Sequence, residues 1–475
     1  MKINTICQKL GITKVFYNHE IYAIADDSKK CVDNSIFFAI EGNRIDGHCK
    51  IEEAINNGAK TIVLQKKVKE HNNINYIYCS NSKKMLGEFL HIYYHHFTKN
   101  LSIIGVVGTN GKTTTSTIIY EYLNYINKKC MLIGSNGLKT KSFSLKHNNT
   151  TPKCIDLYDY FYMAYKKNIK YIVMEVSSIS VSELRVFKID FKTLIFTNFS
   201  EDHLDYHKNM DRYFFAKVIP FYKLNDKSYA ILNADCKMSK LIDKHTTAII
   251  KSYSIINNSN YKASNVYMNE AGLEFDINNK HYHSNLLGKF NVYNILPLFI
   301  ICDIYNFNNK YIFNFLNEFK SVDGRMNLIH FNDKSIIIDY AHTEEAVLNA
   351  IEEAKKLVKG KIYVVVGCGG DREKEKRQKI GKVLNDEDVD IILTTDNPRF
   401  ENARDIINDI LLGINKQATV IENRKEAIDY ALNKTNKEDL VLILGKGCED
   451  YIDINGKKIH YSDYDVINEY RNNLL

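Results

Sequence analysis

The sequence predicts an α/β protein of three successive units, and three observations carry that expectation. Near-continuous aliphatic and β-branched runs at 101–107, 171–176 and 193–197 read as parallel strands buried on both faces. The alternation of short strand and helical stretch restarts after Asp323-Gly-Arg325, with further runs at 335–338, 361–366, 390–394 and 440–444. The run at 101–107 leads into Gly108-Thr-Asn-Gly-Lys-Thr-Thr-Thr115, a glycine-bearing turn that opens a helix. Such a turn aims backbone N–H groups and the positive end of a helix dipole at phosphate. The units are placed at 1–98, 99–322 and 323–475. The first is a small mixed unit, strand-like at 35–40 and 61–64 and helical at 51–58.

Composition fits this reading and excludes others. A chain of 475 residues is too long for one core. With 45% apolar and 25% charged residues it reads as a soluble globular protein. Its net charge of +7 is spread among interspersed Lys and Glu, not gathered into a nucleic-acid-binding face. No apolar run reaches membrane-spanning length, and the N-terminus lacks a signal-peptide core. Ten cysteines without zinc-type spacing suggest reduced thiols and a cytoplasmic enzyme.

The chemistry gathers where predicted strands end. In the phosphate loop, Gly108, Thr109, Asn110, Gly111 and Thr114 would cradle the nucleotide. Lys112 would reach the terminal phosphates, and the Thr113 hydroxyl would ligate magnesium. The spacing departs from the common pattern, because the position five residues before Gly111 is Val106. Glu175 ends a second strand, and His203 lies in Asp202-His-Leu-Asp-Tyr-His207 after a third. Strand ends of a parallel sheet share one edge, so both can serve metal-assisted phosphate chemistry there.

Gly108–Thr115, Glu175-Val-Ser-Ser178, Asp202–His207 and Ala216-Lys217 resemble the central domain of the Mur ligases. The resemblance implies a three-domain architecture: a small N-terminal UDP-binding domain, a central P-loop ATPase domain and a C-terminal Rossmann-like domain. It implies ATP and Mg2+ as cofactors, with metal held by Thr113, Glu175, His203 and a carbamylated Lys217. Asn294 would meet adenine, Arg325 the nucleotide phosphates, and Asp339 and His342 would close over ATP. Ser28, Asn43 and Arg44 would lie near uridine. Thr150, Thr151, Ser177, Glu183 and Arg185 would hold the muramyl-peptide portion.

The third unit speaks to the amino acid added. Asp396-Asn-Pro-Arg399 is similar to the motif of members that add meso-diaminopimelate, whose distal carboxylate suits a guanidinium fork. By the same resemblance Arg372 supplies a second arginine, and Gly445 and Glu449 contact the ammonium and carboxylate ends, beside Asp396, Asn397 and Pro398. The expected reaction is ATP-dependent amide formation on UDP-N-acetylmuramoyl-L-alanyl-D-glutamate, by a monomer acting on small molecules without nucleic acid or membrane insertion. Lanthionine, a diacid of similar length, would suit the same pocket. Ile179, Glu183, Cys448 and Lys29 stand where the family pattern has His, Gln, His and Arg. The alternatives are a folylpolyglutamate-type ligase, which should lack the first unit, and a lysine-adding Mur ligase, which should lack Arg399.

Overall fold

The computed structural model describes residues 1–13, 15–42, 45–147, 149–269 and 271–473. They form two compact units. One comprises Met1–Val107, Asn127–Leu194 and Ala216–Tyr229; the other comprises Gly108–Ile126, Ile195–Phe215 and Ala230–Leu475.

The first unit opens with a parallel sheet in the order Ile24–Ala25, Ser35–Phe38, Ala59–Leu64, Asn75–Tyr78. Phe37, Ile62 and Leu64 pack on Ala54 and Ile51 of the Ile51–Asn56 helix. A second set of strands follows. Ser102–Val107 pairs in parallel with Tyr171–Glu175, which pairs in parallel with Cys130–Gly134. All three are almost wholly buried, as their unbroken aliphatic character demands. The register sets Glu175 opposite Val106, two residues before the phosphate loop, and the Val176 amide donates to the Val106 carbonyl at 2.9 Å. The glutamate therefore ends its strand beside the end of Ser102–Val107.

The second unit starts with the phosphate-loop helix, Lys112–Tyr125. The 99–322 stretch departs from the predicted alternation. Tyr261–Asn269, Gly272–Ile277 and Lys280–Ser284 form an antiparallel meander. Asn278 and Asn279, at φ 50° and 60°, make the turn between its last two strands. Two consecutive left-handed residues give the tight hairpin whose twist matches antiparallel strands. Beyond it lies a six-stranded sheet in the order Asn327–Phe331, Lys334–Asp339, Leu440–Leu444, Ile362–Val366, Asp390–Leu393, Ala418–Val420. Only its first pair is antiparallel. Ile336, Ile338, Val365, Ile392, Val441 and Ile443 form its core with Ala427, Ile428 and Val466. The strand inserted last in sequence, Leu440–Leu444, lies in the middle, so the loops at 340, 367, 394 and 445 converge at one edge where connections diverge. Among the described residues, no helix is long and apolar enough to cross a membrane.

Candidate active site

In the first unit the site grows around Glu175, a carboxylate only 1% exposed. A buried charge needs hydrogen-bond donors, and Ser135 supplies them. Its amide donates to Glu175 Oε1 at 2.7 Å and its hydroxyl to Oε2 at 3.3 Å. The Ser135 hydroxyl also meets that of Thr150 at 3.2 Å. Thr151 donates to the Glu175 carbonyl at 2.8 Å and receives the Ser177 amide at 3.0 Å. Arg185 donates to the Thr151 carbonyl at 2.9 Å and to Glu183 Oε2 at 2.8 Å. Thr150, Thr151, Ser177, Glu183 and Arg185 thus form one polar shell. The charge that Glu183 introduces is matched inside the shell by Arg185. Lys217, on the Met210–Tyr222 helix, is buried at 2% exposure. Ser28 is buried in a short turn that the Asp27 carboxylate caps at the Lys29 amide, 3.0 Å away. Asn43 and Arg44 lie outside the described residues.

In the second unit Gly111 opens the phosphate-loop helix at φ 81°, and a Cβ there would lie 2.2 Å from Asn294 Oδ1. Only glycine fits that backbone and that approach. Asn294 is fixed in turn, since its amide donates to Asn291 Oδ1 at 2.7 Å and its oxygen accepts from Thr115 at 3.3 Å. The Lys112 ammonium donates to the carbonyls of Gly108 and Thr109 at 3.0 and 2.8 Å. The Asn110 amide donates to Asn198 Oδ1 at 2.8 Å, tying the loop to the segment that carries His203. Arg325 donates to the Thr113 hydroxyl at 3.1 Å and stacks 4.4 Å over the Tyr340 ring. The two Asp339 oxygens accept from the Met326 and Ala341 amides, each at 2.7 Å, which ties down the residue that follows Arg325.

Asp202 is the hub that sequence reasoning passed over, although it adjoins His203. Its Oδ2 lies 3.5 Å from His203 Nε2 and 3.8 Å from His342 Nε2, and Lys376 Nζ donates to Oδ1 at 3.2 Å. Burial alone would raise its pKa, but His203 and Lys376 hold the carboxyl well below the usual range. Burial, followed by the Lys376 charge, holds the His342 imidazole below the ordinary histidine range. Lys376 sits a third of the chain away from Asp202 in sequence, so no local pattern could pair them.

The same cleft continues to the strand-end loops, lined by Asp202, His342, Arg372, Asp396, Arg399 and Glu449 among others. Arg399 takes a left-handed backbone, φ 51°, fixed by its amide donating to the Asp453 carbonyl at 2.9 Å. Its guanidinium donates to the Gly370 carbonyl. The Gly370 amide donates to the Asn397 carbonyl at 2.8 Å, so the arginine loop and the Gly-Gly loop brace each other. Arg372 lies 3.7 Å from Asp205. Lys446 is fully buried and donates to Asn397 Oδ1 at 3.1 Å and Glu449 Oε2 at 3.3 Å. Asn397 Nδ2 also donates to that Glu449 oxygen, at 2.8 Å. Glu449 is therefore held in place, and Arg372 and Arg399 line the same cleft, so both signs of charge are present for a molecule that carries both. Pro398 and Gly445 complete the two loops as backbone.

Comparison with known proteins accounts for all of these segments. Residues 20–94 match the model of the Mur ligase family, catalytic domain; residues 106–302 match the Mur ligase middle domain; residues 324–447 match the Mur ligase, glutamate ligase domain. The chain belongs to the Mur ligase family. It is 34% identical over 99% of both chains to the UDP-N-acetylmuramoyl-L-alanyl-D-glutamate–2,6-diaminopimelate ligase of Clostridium botulinum, and 33% identical to that of Listeria monocytogenes over 98% of this chain and 97% of the relative. A solved structure of a ligase of the same name superposes with a TM-score of 0.71 at 27% identity, covering 98% of each chain. The fold is thus the three-domain α/β architecture of the Mur ligases, and the chain is an ATP-dependent ligase.

Proposed function

We propose that this Mur ligase adds meso-diaminopimelate, or a close diamino diacid such as meso-lanthionine, to UDP-N-acetylmuramoyl-L-alanyl-D-glutamate in peptidoglycan precursor synthesis. The observation that carries this reading is Arg399, braced by the Gly370 carbonyl and lining the same cleft as Glu449, which Asn397 and Lys446 hold. A forked guanidinium discriminates a distal carboxylate, which lysine lacks, by charge-assisted hydrogen bonds. The full-length relatives named above act on that substrate pair, which favours the same pair here.

In the proposed reaction the substrate carboxylate attacks the γ-phosphorus of ATP, giving an acyl phosphate and ADP. The amine then attacks the acyl carbon, and phosphate leaves as the amide forms. Lys112 and Arg325 neutralise phosphate oxygens, and the shell of Thr150, Thr151, Ser177 and Arg185 seats the muramyl peptide. Mg2+ would be held by Thr113, Glu175, His203 and N6-carboxylated Lys217, a hard-oxygen set apart from the imidazole, and would supply charge to the transferring phosphoryl group. Ser28, Asn43 and Arg44 are assigned to uridine, Asn294 to adenine and His342 to the nucleotide. We place the domain boundaries near 98 and 322. A cytoplasmic monomer fits a precursor ligase of this kind.

The test is phosphate release by the purified protein with ATP, Mg2+ and the UDP-muramyl dipeptide, with meso-diaminopimelate, lanthionine, L-lysine or no amine in parallel and products weighed by mass spectrometry. Turnover with the two diacids alone is expected. Turnover with lysine overturns the role of Arg399, and phosphate release without any amine dependence overturns the ligase assignment.

A further inference from the structure

We propose that His91, His95 and Asp190 form a surface site for a divalent transition metal of the zinc class, on the first unit and separate from the phosphate-loop chemistry. His91 and His95 stand four residues apart on the helix Ser82–Thr98, so both imidazoles occupy one face. Asp190 reaches that face from the turn before the Phe191–Phe196 strand. One ligand atom from each residue lies within 4.8 Å of the others, and His91 Nδ1 is 3.8 Å from Asp190 Oδ2. Zinc bonds of about 2.0–2.1 Å need donors roughly 3.4 Å apart, so small side-chain rotations close the set. Two imidazoles and a carboxylate are the donors of three-ligand zinc sites, with water in the fourth position.

The backbone beneath the site is already positioned. A Cβ at Gly87, one turn before His91, would lie 2.9 Å from the Phe187 ring and 3.1 Å from its carbonyl, so the helix and the turn are in direct contact. The buried Tyr158 hydroxyl holds the same turn by donating to the Lys188 carbonyl at 3.0 Å. Lys84, Lys188 and Lys223 surround the Phe187 ring, toward the helix N-terminus. His96 points elsewhere, against Phe97 and Tyr165. A metal bound here clips the helix to the turn.

Calorimetric titration of the chelator-treated, thiol-reduced full-length protein with Zn2+ tests the site. The wild type should bind one more equivalent than the His91→Ala/His95→Ala double variant. Asp190→Asn should weaken that equivalent by at least about tenfold, the least that loss of an outer-shell partner costs. His96→Ala should bind as the wild type does. Zn2+ should raise the wild-type Tm more than that of the double variant, and Co2+ should give a visible absorption that the double variant lacks. Equal stoichiometry and affinity in the wild type and the double variant, with matching circular dichroism, would overturn the proposal.

Discussion

Arg424 and Asp463 form an ion pair with both side chains wholly buried, and removing Asp463 should be costly in a predictable way. Arg424 Nε and Nη2 each donate to the carboxylate at 2.8 Å, and Nη2 also donates to the Leu444 carbonyl at 2.9 Å. Burial opposes the guanidinium charge, but Asp463 more than offsets it and raises the arginine pKa above its ordinary value. Nη1 is buried without a hydrogen-bond partner among the described residues, so the carboxylate carries nearly all the compensation. Asp463→Ala leaves that charge stranded, which costs about 3–5 kcal/mol. At about 2–4 °C per kcal/mol for a unit of this size, the melting transition should fall by about 6–20 °C. Arg424→Met/Asp463→Leu should recover most of the loss, because no charge is then desolvated. Differential scanning calorimetry of the three variants reads both effects. Because Leu444 leads directly to Gly445 and Lys446, the single variant should also raise KM for the diamino acid before it raises KM for ATP. An Asp463→Ala protein that melts within a degree of the wild type would refute the reasoning.

Other outcomes follow from the same geometry. Lys112→Ala should lower kcat by at least about a hundredfold with the fold intact by circular dichroism, since the proposed reaction gives Lys112 the charge of the terminal phosphates to neutralise. Arg399→Lys should raise KM for the diacid by about tenfold to a hundredfold and leave KM for ATP unchanged in steady-state assays, since a point charge replaces a fork. Asp202→Asn and Lys376→Met should each lower kcat/KM, and a double-mutant cycle should give a coupling of about 1–3 kcal/mol, because one contact is lost in both. His342 has a folded pKa below its unfolded value of about 6.5, so its neutral form contributes stability that is complete above that pH and is lost as pH falls below it. His342→Gln should therefore flatten part of the acid limb of a Tm-against-pH profile.

The sequence by itself determined the parallel strands, the phosphate loop and the family. Each is a local pattern: a β-branched run buried on both faces, a glycine turn opening a helix, short motifs ending strands. Ser102–Val107 and Tyr171–Glu175 fall within a residue of the runs that predicted them. The antiparallel meander at 261–284 escaped because its outer strands are partly exposed and carry a weaker signal than continuously buried ones. Only the tertiary structure decided what the charged residues do. It joined Asp202 to Lys376 and Lys446 to Asn397. A buried charge is satisfied by whatever donor or acceptor the fold brings near. That partner is set by strand order and loop approach, which depend on packing across the whole core and leave no local trace in the chain.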